Sequence, residues 1–224
     1  MSQFNAFQFD HQKIANSPRF ISQLSTFYCN IWRYDPNFGE FKKCPICSHY
    51  FSFDYCVTQN NTVCPTCGEM LVKAWDEDEV AKTILDLVAL KENFFGAVAI
   101  IPDISDTIIG FVWGFNKPLA DVTNETVLKY VDKPAGYTPY FNEIATDPQS
   151  RQKGIGSTLC KMLVSWMKRT SPSVPGYLRT HECSPARKLF EKAGYSLLCY
   201  DDQVGGGRIF MAVDKCANLT PDNL

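Results

Sequence analysis

The chain has 224 residues, of which 45% are hydrophobic and 21% charged, with a formal net charge of −2. This balance excludes a disordered chain, and the small net charge argues against nucleic-acid binding through overall positive charge. No apolar run reaches the ~18 residues of a membrane span, and Met1 to Asp10 lacks the basic-then-apolar layout of a secretory signal. The expected setting is therefore the cytoplasm. There, ten cysteines read as metal ligands or buried thiols rather than as a disulfide framework.

In chain order, the first predicted element is a helix. Ser17-Pro18 supplies a cap and a proline at the first helical position. Phe20, Leu24, Phe27, Tyr28 and Ile31 recur at helical spacing, and Pro36 and Gly39 close the segment. Two C-x2-C pairs follow, Cys44/Cys47 and Cys64/Cys67, with sixteen residues between them. Such paired turns bring four thiolates to one point, as a closed tetrahedral zinc site requires. His49 to Val57 reads as a strand and Gln59-Asn60-Asn61 as its turn. The segment, about 41–75, resembles a zinc ribbon. A rubredoxin-type iron site is the alternative, and Cys56 and His49 are competing ligands outside the paired pattern. A ribbon this small has little core, so the metal would supply much of its folding energy.

Asp76 caps a second predicted helix, with Glu79 three residues on and Val80, Ile84, Leu87 and Val88 as its apolar stripe. Phe94 to Ile101 and Thr107 to Phe115 read as a hairpin turned at Pro102-Asp103. Asn124 to Val131 reads as a short helix and Tyr140 to Thr146 as a strand. A helix from about Gly156 to Lys168 presents Leu159, Met162, Leu163 and Trp166 on one face. Tyr177 to Thr180 is a strand, Ser184-Pro185 opens a helix that Gly194 ends, and two strands (Tyr195 to Tyr200, Arg208 to Val213) flank a turn at Gly205-Gly206-Gly207.

The chemistry is predicted at the strand-to-helix junction Arg151-Gln152-Lys153-Gly154-Ile155-Gly156. A helix start offers unpaired amides and a positive dipole end, which suits a phosphate. With the preceding Asn142 to Pro148, the following Leu159, and the downstream Ala186, Leu189, Glu191, Lys192, Gly194 and Tyr195, this stretch resembles the GNAT superfamily of acyl-CoA-dependent N-acyltransferases over about residues 76–213. Charge agrees: residues 151–192 hold nine Lys or Arg against two Glu, whereas 76–150 hold thirteen acids against five Lys. A basic half suits coenzyme A.

The resemblance implies an α+β fold, a mixed, mostly antiparallel twisted sheet flanked by helices, to which the four-cysteine zinc ribbon is added. It divides the chain into a helical segment 1–40, the ribbon 41–75 and an acyltransferase core 76–224. It implies acetyl-CoA as cosubstrate, held by Ile144, Ala145, Thr146, Arg151, Gln152, Lys153, Gly154, Ile155, Gly156, Ser157 and Cys183, while the paired cysteine spacing puts a structural zinc on Cys44, Cys47, Cys64 and Cys67. An amine on a small molecule or a protein attacks the thioester directly. Glu143 is the first candidate base and His181 the second, since a histidine titrates near neutrality. The family often has a tyrosine in the last helix as proton donor. Alignment places Phe190 there, which leaves Tyr195, Cys183 or water for that role. The ribbon is expected near the acceptor side. A catalytically inactive acyl-CoA-binding adaptor and a zinc-ribbon nucleic-acid-binding protein remain as alternative readings.

Overall fold

A computed structural model describes the chain except residues 1–3, 11–12, 15, 35–38, 91–92, 103–106, 132–133 and 202–206. The readings of Pro36, Asp103 and the Gly205-Gly206 part of the glycine turn fall outside the described residues. The chain forms two compact units, residues 11–87 and residues 1–10 with 88–224.

The smaller unit opens with α1 (Pro18–Tyr34), whose Phe20, Leu24, Tyr28 and Ile31 are buried at the predicted spacing. A three-stranded sheet of order β3-β2-β4 follows, built from β2 (Lys42–Lys43), β3 (Tyr50–Phe51) and β4 (Val72–Lys73). The predicted strand from His49 to Val57 is mostly absent. Only Tyr50 and Phe51 pair with β2, and Asp54–Thr58 forms a helical turn. The Ser52 hydroxyl accepts the Tyr55 amide at 3.2 Å. Tyr55 then stacks on Phe51 with centroids 5.0 Å apart, and Cys56 enters the small core. Winding the chain buries these side chains, which an extended chain would leave in water.

The helix α2 (Glu77–Leu90) starts where Asp76 Oδ1 accepts the amides of Asp78 at 3.0 Å and Glu79 at 3.3 Å. Glu77 receives Arg33 Nη1 at 3.4 Å, and Arg33 Nη2 donates to the Trp75 carbonyl at 2.5 Å. This ties the end of α1 to the start of α2, with Tyr28 edge-on to Trp75 at 5.5 Å.

The larger unit is a seven-stranded sheet of order β1-β5-β6-β7-β8-β10-β9. Its strands are β1 (Asn5–Phe9), β5 (Phe95–Ile101), β6 (Thr107–Pro118), β7 (Tyr137–Thr146), β8 (Gly176–His181), β9 (Ser196–Tyr200) and β10 (Arg208–Val213). Every neighbouring pair is antiparallel except β7–β8. The helices are α3 (Glu125–Val131), α4 (Ile155–Thr170) and α5 (Arg187–Lys192). The edge strand β1 has no counterpart in the sequence reading: of its five side chains only Phe9 is buried, so its alternation is weak.

α4 forms the main core. Leu159, Leu163, Val164 and Met167 are fully buried against Ala97, Val112, Phe141, Leu178, Ile209 and Met211 on one face of the sheet. On the other face, Val127 and Val131 of α3 pack with Tyr177, Phe210 and Ala212. Asn124 Oδ1 caps α3 through the Val127 amide at 3.1 Å.

Candidate functional site

The site begins with a flaw in a ladder. β7 pairs with β6 along its length, but the register shifts between Trp113 (opposite Glu143) and Gly114 (opposite Phe141), so Asn142 is an extra residue. Such a bulge bends its strand. On the other side, β7 pairs with β8 only at Tyr140↔Tyr177 and Phe141↔Leu178. Beyond Phe141 the two strands part, and among the described residues the edge of β7 from Asn142 to Thr146 has no strand beside it. An edge that leaves its neighbouring strand is a place where backbone groups can meet a ligand.

At the end of that edge the chain turns into α4. Asp147 ties the turn with its amide on the Ile109 carbonyl at 2.9 Å and its carboxylate on the Ser150 hydroxyl at 2.8 Å. Gln152 and Gly154 both take positive φ, 64° and 81°. A Cβ at Gly154 meets nothing within 4 Å, so it is the backbone conformation that favours glycine there. The first hydrogen bond of α4 runs from the Thr158 amide to the Gly154 carbonyl at 2.9 Å. The amides of Ile155, Gly156 and Ser157 precede it, at the positive end of a sixteen-residue helix. The Ile155 side chain is buried in the core and anchors the turn, so this residue offers only its amide. Gln152, Lys153 and Gly154 are exposed, while Arg151, Gly156 and Ser157 are half-buried. The arrangement is an open turn carrying helix-start amides, beside the stretch of β7 that β8 leaves after Phe141.

Alternation along β7 separates the strand residues. Ile144 packs against the α4 core. Glu143 takes the opposite face, with Tyr140. Burial first, and then the Glu143 carboxylate, push the Tyr140 phenol up to about 12 against the pull of Arg179. Tyr177, Arg179 and His181 of β8 share that face by the same alternation, and Arg179 and Tyr177 both pack near Phe210. The structure thus brings both base candidates to one side of the sheet. His181 Nδ1 accepts the Cys183 amide at 3.0 Å, which places the proton of the neutral ring on Nε2. A ring held this way has its basic lone pair engaged.

The proton-donor reading of Tyr195 does not fit its place. Tyr195 is 3% exposed, its hydroxyl donates to the Met167 sulfur at 3.4 Å, and burial raises its pKa well above the ordinary value. It belongs to an aromatic trio, with Phe141 edge-on to Phe190 at 5.0 Å and to Tyr195 at 6.4 Å. Phe190 is likewise buried. Cys183 is exposed at the rim of a cavity of about 580 Å³ with Glu182, Ser184, Pro185, Arg187, Lys188 and Glu191.

In the smaller unit, the four sulfurs of Cys44, Cys47, Cys64 and Cys67 lie within 4.8 Å of one another. Cys44–Cys67 and Cys47–Cys64 are 3.3 and 3.6 Å apart. Tetrahedral zinc–thiolate bonds of about 2.3 Å imply sulfurs about 3.8 Å apart, so the set fits the ion. The Cys47 amide, then that of Ile46, hold the Cys44 thiol below its usual range. Its neighbour Cys67 is pushed up to about 12, chiefly by Cys44. Held together as thiolates, four sulfurs this close would need a cation between them. His49 Nδ1 contacts Cys47 Sγ at 3.4 Å and stands behind the ligand set, and Cys56 is outside it.

Comparison with known proteins decides the family. The model of the acetyltransferase (GNAT) family matches residues 65–195. The chain belongs to the GNAT family of acetyltransferases. No curated protein matches this acetyltransferase by sequence. Among solved structures it is similar to NAA60 of Arabidopsis thaliana in complex with a bisubstrate analogue, at 11% identity over 94% of this chain and 97% of that one, with a TM-score of 0.56. NAA60 in complex with acetyl-CoA gives 12%, 94%, 98% and 0.55. A Corynebacterium glutamicum structure described as histone acetyltransferase HPA2 and related acetyltransferase gives 17%, 95%, 96% and 0.50. These likenesses show the shared fold. Among the described residues of this GNAT chain, no helix is long and apolar enough to cross a membrane.

Two features of the acetyltransferase escape sequence reasoning. Asn142 carries no signal as a bulge residue, since a bulge is a relation between two strands. Tyr140, Tyr177 and Arg179 read from the sequence only as strand residues, although they share the face of the candidate bases.

Proposed function

We propose that the protein transfers an acetyl group from acetyl-CoA to an amine by direct attack. The observation that carries this reading is the parting of β7 and β8 after Phe141 and Leu178, beside the N-terminus of α4. The pyrophosphate takes the amides of Ile155, Gly156 and Ser157, with Arg151 and Lys153 supplying positive charge and Gln152 and Gly154 shaping the turn. The pantetheine arm and acyl oxygen take the β7 edge at Ile144, Ala145 and Thr146, and Cys183 borders the cofactor from the β8 side. Acetyl-CoA supplies the activated acyl carbon.

The acceptor is a protonated amine at neutral pH and must lose a proton before it attacks. Glu143 takes it, directly or through one water, because its face is shared with the approach and the His181 lone pair is engaged. The nitrogen–carbon bond forms, the carbon–sulfur bond breaks, and the coenzyme A thiolate leaves. Solvent protonates that thiolate, since Tyr195 and Phe190 lie in the core. Zinc on Cys44, Cys47, Cys64 and Cys67 holds the ribbon together. The ribbon lies in sequence between α1 and α2, and we assign it a part in recognising the acceptor, a small molecule or a protein.

Calorimetry with acetyl-CoA, followed by thiol release with a panel of amines, tests the reading. Binding with acetyl transfer supports it. Tight binding without transfer to any amine favours the inactive adaptor, the reading that Phe190 in place of a phenol keeps in play. Ribbon variants that raise the KM for the amine and leave acetyl-CoA affinity alone support the role given to the ribbon.

A further inference from the structure

The four cysteines of the smaller unit sit in two knuckles of the same build. In each, the amide of the first cysteine donates to the carbonyl five residues on, Cys44 to His49 at 2.9 Å and Cys64 to Glu69 at 2.7 Å. In each, the residue after the second cysteine takes positive φ, Ser48 at 59° and Gly68 at 72°. The first cysteine of each pair is 1% exposed, and its sulfur receives two amides: Cys44 those of Cys47 and Ile46, Cys64 those of Cys67 and Thr66. The second sulfur of each pair receives one amide, Cys47 that of His49 and Cys67 that of Glu69.

The knuckles differ in the side chain of the residue that supplies this last amide. His49 adds its ring, with Nδ1 at 3.4 Å from the Cys47 sulfur. Toward a metal-bound thiolate, which only accepts, the ring nitrogen donates. Glu69 stands at the matching place, and an ionised carboxylate has no proton to give. Its Oε1 accepts the Met70 amide at 3.3 Å instead. Among the described residues, no side chain outside the four cysteines donates to the Cys67 sulfur. Cys67 is also exposed, where Cys47 is half-buried. Four thiolates around one divalent ion leave two net negative charges, which hydrogen bonds from the surroundings disperse. The sulfur with the fewest donors and the most open approach keeps the most nucleophilic electron pair.

We infer that Cys67 is a modification site, the sulfur at which a soft electrophile such as a hydroperoxide opens the zinc centre. The inference rests on the assignment of zinc to the four cysteines. The Cys67 sulfur gives an electron pair to one peroxide oxygen, the oxygen–oxygen bond breaks, hydroxide leaves and a sulfenic acid forms. The Cys44 sulfur, 3.3 Å away, then attacks the sulfenic sulfur, and a second hydroxide leaves as the Cys44–Cys67 disulfide forms. Two thiolates lose two electrons and the peroxide gains them. The pair that remains, Cys47 and Cys64, is too few to close a tetrahedral site.

The test treats the full zinc-loaded chain with N-ethylmaleimide while a chromophoric indicator reads released zinc. The reaction is stopped early, the chain is unfolded, the remaining thiols take an isotopically heavy maleimide, and peptide mass spectrometry reads each cysteine. Release is expected to be first order in maleimide, with Cys67 labelled about tenfold or more ahead of Cys44, Cys47 and Cys64. His49→Ala raises the Cys47 label toward that of Cys67. His49→Asn, whose NH2 stands in for Nδ1, keeps the parental order. Hydrogen peroxide is expected to release zinc and leave a Cys44–Cys67 disulfide in the peptide map. A chain that takes up no zinc sinks the zinc assignment and this inference with it. In a chain that holds zinc, equal labelling of the four cysteines overturns the inference alone. So does a release rate independent of maleimide, a Cys47 label unmoved in His49→Ala, or a Cys47–Cys64 disulfide formed first.

Discussion

Phe141 and Leu178 are the last residues at which β7 and β8 pair, and Phe141 at that point leans edge-on against Phe190 at 5.0 Å. The aromatic trio thus packs where the strands begin to part, and Phe190 serves that packing. Phe190→Ala is expected to cost about 3–5 kcal/mol of stability. Phe190→Tyr restores the hydroxyl often found there in the family but introduces it into the core, at a cost of about 1–3 kcal/mol. Denaturant unfolding measures both losses. A higher kcat in the tyrosine variant would contradict the placement.

Gly154 holds φ at 81° with open space where a Cβ would stand. Gly154→Ala is expected to fold with a loss of about 1–2 kcal/mol, the cost of the left-handed conformation. Gly154→Trp places an indole over the cradle and abolishes acetyl-CoA binding while the far-ultraviolet circular dichroism is kept. Retained affinity in that variant removes the cradle assignment.

Glu143 and His181 are separated by paired substitutions. Glu143→Gln is expected to lower kcat by about 10²–10⁴ without changing acetyl-CoA affinity, and to flatten the acidic limb of the pH–rate profile. His181→Asn keeps an acceptor for the Cys183 amide, so its kcat is expected to stay close to that of the parent. The reverse ranking would make His181 the base.

Removal of the metal acts on the smaller unit. A chelator strong enough to strip a four-thiolate site is expected to release zinc, and hydrogen exchange in residues 41–75 then rises toward that of an unfolded chain. Cys64→Ser gives the same result without chelator, whereas Cys56→Ser leaves the zinc content unchanged. Iron found in purified protein would change the metal and keep the ligands.

Asp76 gives a pH dependence of known sign. The Glu79 amide first, and then that of Asp78, hold its carboxyl below the usual range. A depressed carboxyl stabilises the folded form above its unfolded pKa of about 3.9, and this contribution is lost as pH falls through the folded value. Asp76→Asn keeps the cap geometry and removes the charge. Acid titration of α2 helicity should show a smaller fall below about pH 4 than in the parent.

Local features were legible in the chain itself. The spacing of Cys44, Cys47, Cys64 and Cys67, the stripe of Leu159 and Leu163, the cap at Asp76 and the turn at Gly154 are written in neighbouring residues, because a knuckle, a helix face and a cap are made by groups a few positions apart. The family was legible for the same reason, since its motif is one strand end and one helix start. The tertiary structure alone decided what depends on distant segments. Asn142 is a bulge only relative to Trp113 and Gly114, and Tyr195 is buried because Met167 and Phe141 close around it. Only the fold sets Lys117, Tyr140, Tyr177 and Asp201 around one cavity. Such groupings are fixed by the order and register in which strands meet, and a single strand carries no record of its partner.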